Sequence, residues 1–219
     1  MKKTQEKILS NAIKLFNRKG VSNARLQDIA NEAGISPGNL SYHYRLKKDL
    51  MEAVLVYMEA RFRKASSSNM AFIEENNYLS LIKNYLRFQI EHRFFYRDTL
   101  EVITLTSKAK VVFEKQMQQV QNFTRNGLYL AVGKGIVVPE PHEGHYTLFA
   151  RNIWAILNSW LAEREVLGKE KISLTHIMLA LWEFHYPYLT EKGKELFYTL
   201  KDQLPELIEK EKTATEATP

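Results

Sequence analysis

Residues 36–47 read Ser-Pro-Gly-Asn-Leu-Ser-Tyr-His-Tyr-Arg-Leu-Lys, and the reading of this stretch decides the fold. Ser36 can accept a hydrogen bond from a free backbone N–H of a new helix, and Pro37 suits its first turn, so a short helix starts here. Just upstream, Leu26, Ile29, Ala30 and Ala33 recur at helical spacing. Gly34 can then supply the positive φ that ends a helix in a tight turn. Two short helices joined through Ala33-Gly34-Ile35-Ser36 form a helix-turn-helix, expected over about residues 24–44. In this motif the second helix lies in the major groove of DNA, with its N-terminal residues toward the base edges. Leu40 and Tyr44 are expected to face inward against Ile29 and Ile35, which turns Gly38, Asn39, Ser41, Tyr42 and His43 outward.

The charge distribution points the same way. The net charge is +6, but residues 1–65 hold 13 Lys and Arg against 6 Asp and Glu, whereas residues 66–219 hold 18 against 19. A basic module joined to a near-neutral one is expected when the first neutralises phosphates and the second does something else.

Residues 4–50 resemble the N-terminal domain of the TetR/AcrR family of bacterial transcriptional regulators. The resemblance rests on Ile8, Ala12, Leu15, Phe16 and Gly20, on Asp28-Ile29-Ala30 with Ala33-Gly34-Ile35-Ser36, on Gly38 and Leu40, and on His43-Tyr44 with Lys47 and Leu50. Three positions depart from it. Ala24 stands where the family has a capping Thr, so Asn23 is expected to take over that cap. Ser41 replaces the usual recognition-helix Tyr, with Tyr42 beside it. Leu46 takes the place of the usual Ser or Asn cap before Lys47. The expected DNA contacts are Arg25, Gln27, Ser36, Gly38, Asn39, Ser41, Tyr42, His43, Lys47 and Lys48, with Lys47 opening a fourth helix against a phosphate.

The periodicity is that of an all-α protein. Thr4 can cap a first helix whose Ile8, Leu9, Ala12, Leu15 and Phe16 form one apolar stripe, and Gly20 stops it. A linking fourth helix runs from Lys47 to about Ala65, where the polar cluster Ser66-Ser67-Ser68-Asn69 marks the end of a three-helix DNA-binding domain at residues 1–65. Residues 66–209 are expected to form a helical-bundle regulatory and dimerisation domain, with helices near 78–93, 95–106, 108–133, 145–168, 173–188 and 191–209. Residues 210–219 are a polar tail expected to fray. The loop at 133–144 contains Val137-Val138, too short a pair to anchor a sheet.

Two helices carry more large apolar groups than one buried stripe needs: Phe149, Ile153, Trp154, Ile156, Leu157, Trp160 and Leu161 on one, and Leu174, Ile177, Met178, Leu181, Trp182, Phe184 and Tyr188 on the other. Covering two faces of each suggests an intermolecular four-helix bundle, the arrangement that the family resemblance also implies, with Phe149, Ile153, Trp160, Leu161, Ile177, Leu181 and Phe184 at a homodimer interface. A helix buried on all sides inside one chain is the alternative. The resemblance further implies a pocket for a small apolar or amphipathic effector, for which Tyr85, Phe88, His92, Phe95, Met117, Asn122, Phe123 and Arg125 are candidates.

Catalytic patterns are missing: no phosphate-cradling Gly-rich loop, no nucleophile elbow and no His-Glu-x-x-His helix occurs. An enzyme is therefore not expected. The absence of cysteine excludes disulfides and thiolate metal sites. His142-Glu143-Gly144-His145 places two imidazoles near carboxylates but sits in a loop with two prolines, so neither metal nor cofactor is expected. The start Met-Lys-Lys-Thr-Gln-Glu-Lys lacks an apolar signal core, and the apolar run at 153–162 is too short for a bilayer, which points to a cytoplasmic protein without membrane contact. The combined expectation is a dimeric repressor of a palindromic double-stranded operator, released by a small molecule. Control by a protein partner, absence of control, and a helical-bundle enzyme are the alternatives.

Overall fold

Helix α1 (Lys3–Lys19) buries Ile8, Leu9, Ala12, Ile13, Leu15 and Phe16 on one side and keeps Lys7, Lys14 and Arg18 exposed. Its chain stops at Gly20, whose φ of 82° closes the turn. Two short helices follow, α2 (Leu26–Glu32) and α3 (Pro37–His43). Gly34, at φ 61°, turns the chain between them, and Ile35 N–H reaches back to the Ala30 carbonyl at 3.0 Å. Helix α4 (Lys47–Ser67) packs on α1 and on the next helix in the chain, and buries Leu50, Met51, Val54, Leu55 and Met58. The described residues are 3–67, 75–168 and 174–216 of this computed structural model. Of the polar cluster expected to end the fourth helix, Ser66 and Ser67 lie within α4, while Ser68 and Asn69 fall outside the described residues.

Next come α5 (Glu75–Glu91), α6 (Arg93–Arg97), α7 (Thr99–Leu105) and α8 (Ser107–Gly133). The single helix expected near 95–106 is thus broken at Asp98. The Asp98 backbone leaves helical geometry at φ −101° and ψ 27°, and Thr99 Oγ1 donates to the carbonyls of Phe95 and Tyr96, competing with the helical ladder. The last elements are α9 (His145–Val166), α10 (Leu174–His185), a 3-10 turn at Tyr186–Tyr188 and α11 (Glu191–Glu216). The helix expected to continue to 188 changes to this tighter turn where Pro187 has no N–H to give. Residues 217–219 of the polar tail lie outside the described residues.

The fold is all-α. Among the described residues the one departure is an isolated antiparallel bridge between Val137 and Leu189, flanked by Val138 N–H to Tyr188 O at 2.9 Å and Thr190 N–H to Ile136 O at 3.0 Å. The chain divides into two compact units, Met1–Gln116 and Met117–Pro219.

Within the first unit the helix-turn-helix head is clasped by α6 and α7. Asn17, near the end of α1, accepts from Phe94 N–H at 3.0 Å and donates to Glu91 O at 2.7 Å. Arg97 donates to the carbonyls of Phe16 and Asn17, while its partner Asp98 accepts from Val21 N–H at 3.0 Å. Arg97 thus meets carbonyls at the C-terminal end of α1, and Asp98 the first amide after Gly20. Along α4, Glu52 bonds Thr106 and Lys108, and Glu59 pairs with Lys115 at 3.1 Å.

In the second unit α9 buries Tyr146, Phe149, Ala150, Ile153, Trp154, Leu157, Trp160 and Leu161, and α10 buries Ile177, Met178, Leu181 and Trp182. Phe149, Ile153, Trp160, Leu161, Ile177 and Leu181, expected at a homodimer interface, are buried in the single chain. They are part of an aromatic interior in which Phe149 meets Phe184, His185 and Tyr188 at ring distances of 5.0, 4.8 and 5.2 Å. Phe184 is half-buried. The exposed face of α9 instead carries Leu148, Asn152, Ala155 and Ser159, and that of α10 carries His176, Ala180 and Glu183.

Candidate nucleic-acid interface

Ser36 caps α3: its Oγ accepts the Asn39 N–H at 3.1 Å, and Pro37 occupies the first turn. This fixes which face of the helix looks out. Leu40 and Tyr44 are buried, while Gly38, Asn39, Ser41 and Tyr42 are exposed, Tyr42 by 86%. His43 is half-buried, with its ring edge-on to Tyr42 at 5.4 Å. Asn39 and Tyr42 are three residues apart, so both project from the same side of α3. An amide and a phenol there can exchange hydrogen bonds with base edges or phosphates, and the absent side chain of Gly38 lets the helix come close.

Arg25 and Gln27 are also exposed, at the start of α2. The expected Asn23 cap is not formed: α2 begins at Leu26 after Arg25, and the Asn23 amide instead donates to the Lys19 carbonyl at 3.1 Å. The helix start is tied from the other direction. Asp28, three residues into α2, takes a hydrogen bond from the Arg25 backbone N–H; the ammonium of Lys19 at 3.1 Å is the main reason that its carboxyl is held below the ordinary value. Asp49 does the same for α4, accepting the Leu46 N–H at 3.0 Å. Each is the carboxylate half of a capping box, made where the preceding residue, Arg25 or Leu46, has no acceptor to offer. The spacings Arg25-x-x-Asp28 and Leu46-x-x-Asp49 are the sequence signal that could have found them.

Lys48 is exposed at the start of α4, but Lys47 is not free in the same way. Its ammonium donates to the carbonyls of Val21 and Ser22, the latter at 3.2 Å, and burial pushes its pKa below the ordinary lysine value while the charge of Glu101 works against that shift. It holds the turn between α1 and α2. Lys47→Ala is therefore expected to lower thermal stability by about 1–2 kcal/mol, the low end for hydrogen bonds from a charged group that keeps some solvent contact. The salt dependence of DNA binding should change by less than one unit of slope. A slope lower by about one with unchanged stability would make the ammonium a phosphate contact instead.

Of the effector candidates, Tyr85, Phe88, His92 and Phe95 belong to the first unit, and Met117, Asn122, Phe123 and Arg125 to the second. Phe88, His92 and Phe95 are buried, and Tyr85 is half-buried. Burial pushes the phenols of Tyr85 and Tyr96 upward, so both keep their protons. Tyr96 donates to Gln116 Oε1 at 3.0 Å, and Gln89 Nε2 reaches Tyr85 at 3.4 Å. Burial also lowers the His92 pKa; Nδ1 faces the Phe88 carbonyl at 2.9 Å and the ring lies on Phe88 at 4.3 Å. The network is polar yet uncharged, and Gln89 and Gln116 were absent from the sequence expectation. In the second unit Met117 and Phe123 are half-buried, and Asn122 is exposed, accepting from Arg125 at 3.1 Å.

Comparison with known proteins agrees with this geometry. Residues 8–54 match the family model described as bacterial regulatory proteins of the tetR family, and residues 56–197 match one described as a bacterial transcriptional repressor. The HTH-type transcriptional regulator YerO of Bacillus subtilis is 29% identical over 163 residues, covering 70% of this chain and 54% of that protein. The chain spans about half the length of the curated relatives it matches. Among solved structures, a TetR-family regulator from Marinobacter aquaeolei superposes with a TM-score of 0.81 at 23% identity, over 93% of this chain and 99% of that one. A transcriptional regulator from Saccharomonospora viridis in complex with choline gives 0.69 at 19% identity, over 87% and 100%. Among the described residues no helix is long and apolar enough to cross a membrane.

Proposed function

Because the chain belongs to the TetR family of bacterial regulatory proteins, and is thus a transcription regulator rather than an enzyme, we propose that it is a dimeric repressor. In this reading it holds a palindromic operator through α3 and lets go when a small molecule binds among α5, α6 and the start of α8. The observation that carries the reading is the split of α3 into a buried side, Leu40 and Tyr44, and an exposed side, Asn39 and Tyr42, on a helix fixed by the Ser36 cap.

Arg25, Gln27, Ser41, His43 and Lys48 complete the proposed DNA surface, together with backbone N–H groups at the start of α4, which an isolated helix leaves free for a phosphate. Dimerisation is assigned to the exposed face of α9 and α10, around Ala155 and Ala180, in place of the buried aromatics. For the effector, the uncharged network of Tyr85, Gln89, Tyr96 and Gln116 beside Phe88 and Phe95 suits an amphipathic molecule that offers one or two hydrogen-bonding groups. The choline complex of a protein of the same fold supports the placing of a small ligand in such a bundle.

The test is selection of bound sequences from random duplex DNA, then affinity for each single-base variant of the selected site. The sequence recovered should be a palindrome. Asn39→Ala should relax preference at one base pair per half-site by ~1–3 kcal/mol, because an Asn amide can pair with the N6 and N7 edge of adenine. Non-specific affinity and its salt slope should hardly change. Equal loss on every sequence would make Asn39 a backbone contact and move base readout to Tyr42, His43 or Arg25; recovery of no preferred sequence would overturn the repressor reading itself.

A further inference from the structure

The loop before α9 ends in two histidines whose nitrogens face each other: His142 Nε2 and His145 Nδ1 are 3.3 Å apart, with the rings at 83°. The other nitrogen of His142, Nδ1, lies 3.2 Å from the Glu143 carbonyl. A carbonyl only accepts, so Nδ1 carries the proton, and a neutral His142 presents the lone pair of Nε2 to its neighbour. Whatever sits between the rings must therefore be electron-poor: the Nδ1 proton of His145, or a metal ion.

The spacing fits the second occupant as well as the first. Two ligands at zinc–nitrogen distances of about 2.0–2.1 Å in a tetrahedral shell stand about 3.3 Å apart. A ligating histidine ordinarily donates its remote N–H to a carbonyl or carboxylate, which fixes the ring, and His142 makes that bond with Glu143. The local charge favours a cation. Glu140, two residues before His142, accepts from Tyr146 N–H and from the Tyr129 hydroxyl, both at 2.9 Å. Its oxygens are already engaged, so it offsets charge rather than ligating.

We propose that His142 Nε2 and His145 Nδ1 form a two-imidazole site for a divalent transition-metal ion of the zinc, nickel or copper class, tying the loop ahead of α9 to the first turn of that helix. Binding moves the His145 proton from Nδ1 to Nε2. That atom is buried without a hydrogen-bond partner, so the shifted proton stays unpaired there and offsets part of the gain from the metal bond. Among the described residues no group of three His, Cys, Asp or Glu side chains is placed to hold an ion, so water fills the remaining positions. Imidazole ligands select these ions over magnesium and calcium, which take oxygen. Because the His145 ring also packs on Tyr188 at 5.2 Å, the ion would stiffen the contact between the start of α9 and the 186–188 turn.

The experiment titrates Zn²⁺, and separately Ni²⁺, into the tag-free full chain by calorimetry, with Mg²⁺ as the contrasting ion. One equivalent of Zn²⁺ or Ni²⁺ per chain should bind in the micromolar range, with none for Mg²⁺. His142→Ala and His145→Gln should each weaken binding on the order of tenfold or more, with unchanged helical circular dichroism, while His176→Ala, an exposed histidine on α10, should leave it unaltered. Absence of binding by the wild-type chain, or equal affinity in the wild type, His142→Ala and His145→Gln, overturns the site. None of these readouts involves DNA, so the outcome is independent of the repressor reading.

Discussion

Ala155→Arg is expected to leave the chain monomeric at micromolar concentration and to weaken operator binding by on the order of 100-fold or more. Ala155 lies on the exposed side of α9, in line with Leu148, Asn152 and Ser159, while the large side chains of the same helix are buried. Where two copies meet through a two-fold axis, a substitution appears twice, and a bulky cation introduced there must be buried without a partner. Operator affinity follows because one head reads one half-site, and linking two binding events raises avidity by about 10²–10⁴. Sedimentation and DNA titration measure both effects, with circular dichroism to show that the variant is folded. If Ala155→Arg sediments as a dimer and binds as tightly as the wild type, the dimer face lies elsewhere. A monomeric wild type would remove the dimer altogether.

The second large effect is on stability. Phe16 is fully buried, and its ring meets that of Phe94 at 5.3 Å, where α1 packs against α6. Phe16→Ala removes the ring from a position that the surrounding helices cannot readily fill, and should cost ~3–5 kcal/mol in unfolding free energy. Tyr42→Ala removes an aromatic of similar size from the exposed side of α3 and should change stability by less than about 0.5 kcal/mol. Urea denaturation of the two variants compares them directly. Equal losses would mean that Tyr42 is packed and does not stand free to meet DNA.

How far the residues announced this structure depends on the range of the interactions. The Ser36 cap, the positive φ of Gly34 and the inward Leu40 and Tyr44 are local, set within a few residues, and each was legible. The start of α2 was misread because cap assignment depends on the helix boundary to one residue: with Arg25 in the cap position, the bond passes to Asp28 and the Asn23 amide turns back to Lys19. On α9 the apolar residues were counted correctly, but which of them face outward depends on what the rest of the chain lays over them. Large aromatics gain most from burial, so they filled the interior of the single chain and left alanine and serine outside. The pairings of Asn17 with Phe94 and of Val21 with Asp98 span 77 residues each, and no periodicity in one segment contains them.

Those two pairings also place a gauge inside the molecule. The amide protons of Phe94 and Val21 are held by side-chain oxygens on opposite partners of the clasp: Asn17 belongs to the head and grips α6, while Asp98 lies between α6 and α7 and grips the turn of the head. Both bonds are 3.0 Å long, and neither belongs to a helical ladder that local fraying would open. Solvent deuterium reaches the two sites when the head lifts away from α6 and α7. Isotope exchange at these amides thus reports the free energy of one separation from its two sides, and equal protection at Phe94 and Val21 would mean that the head leaves α6 and α7 as a unit.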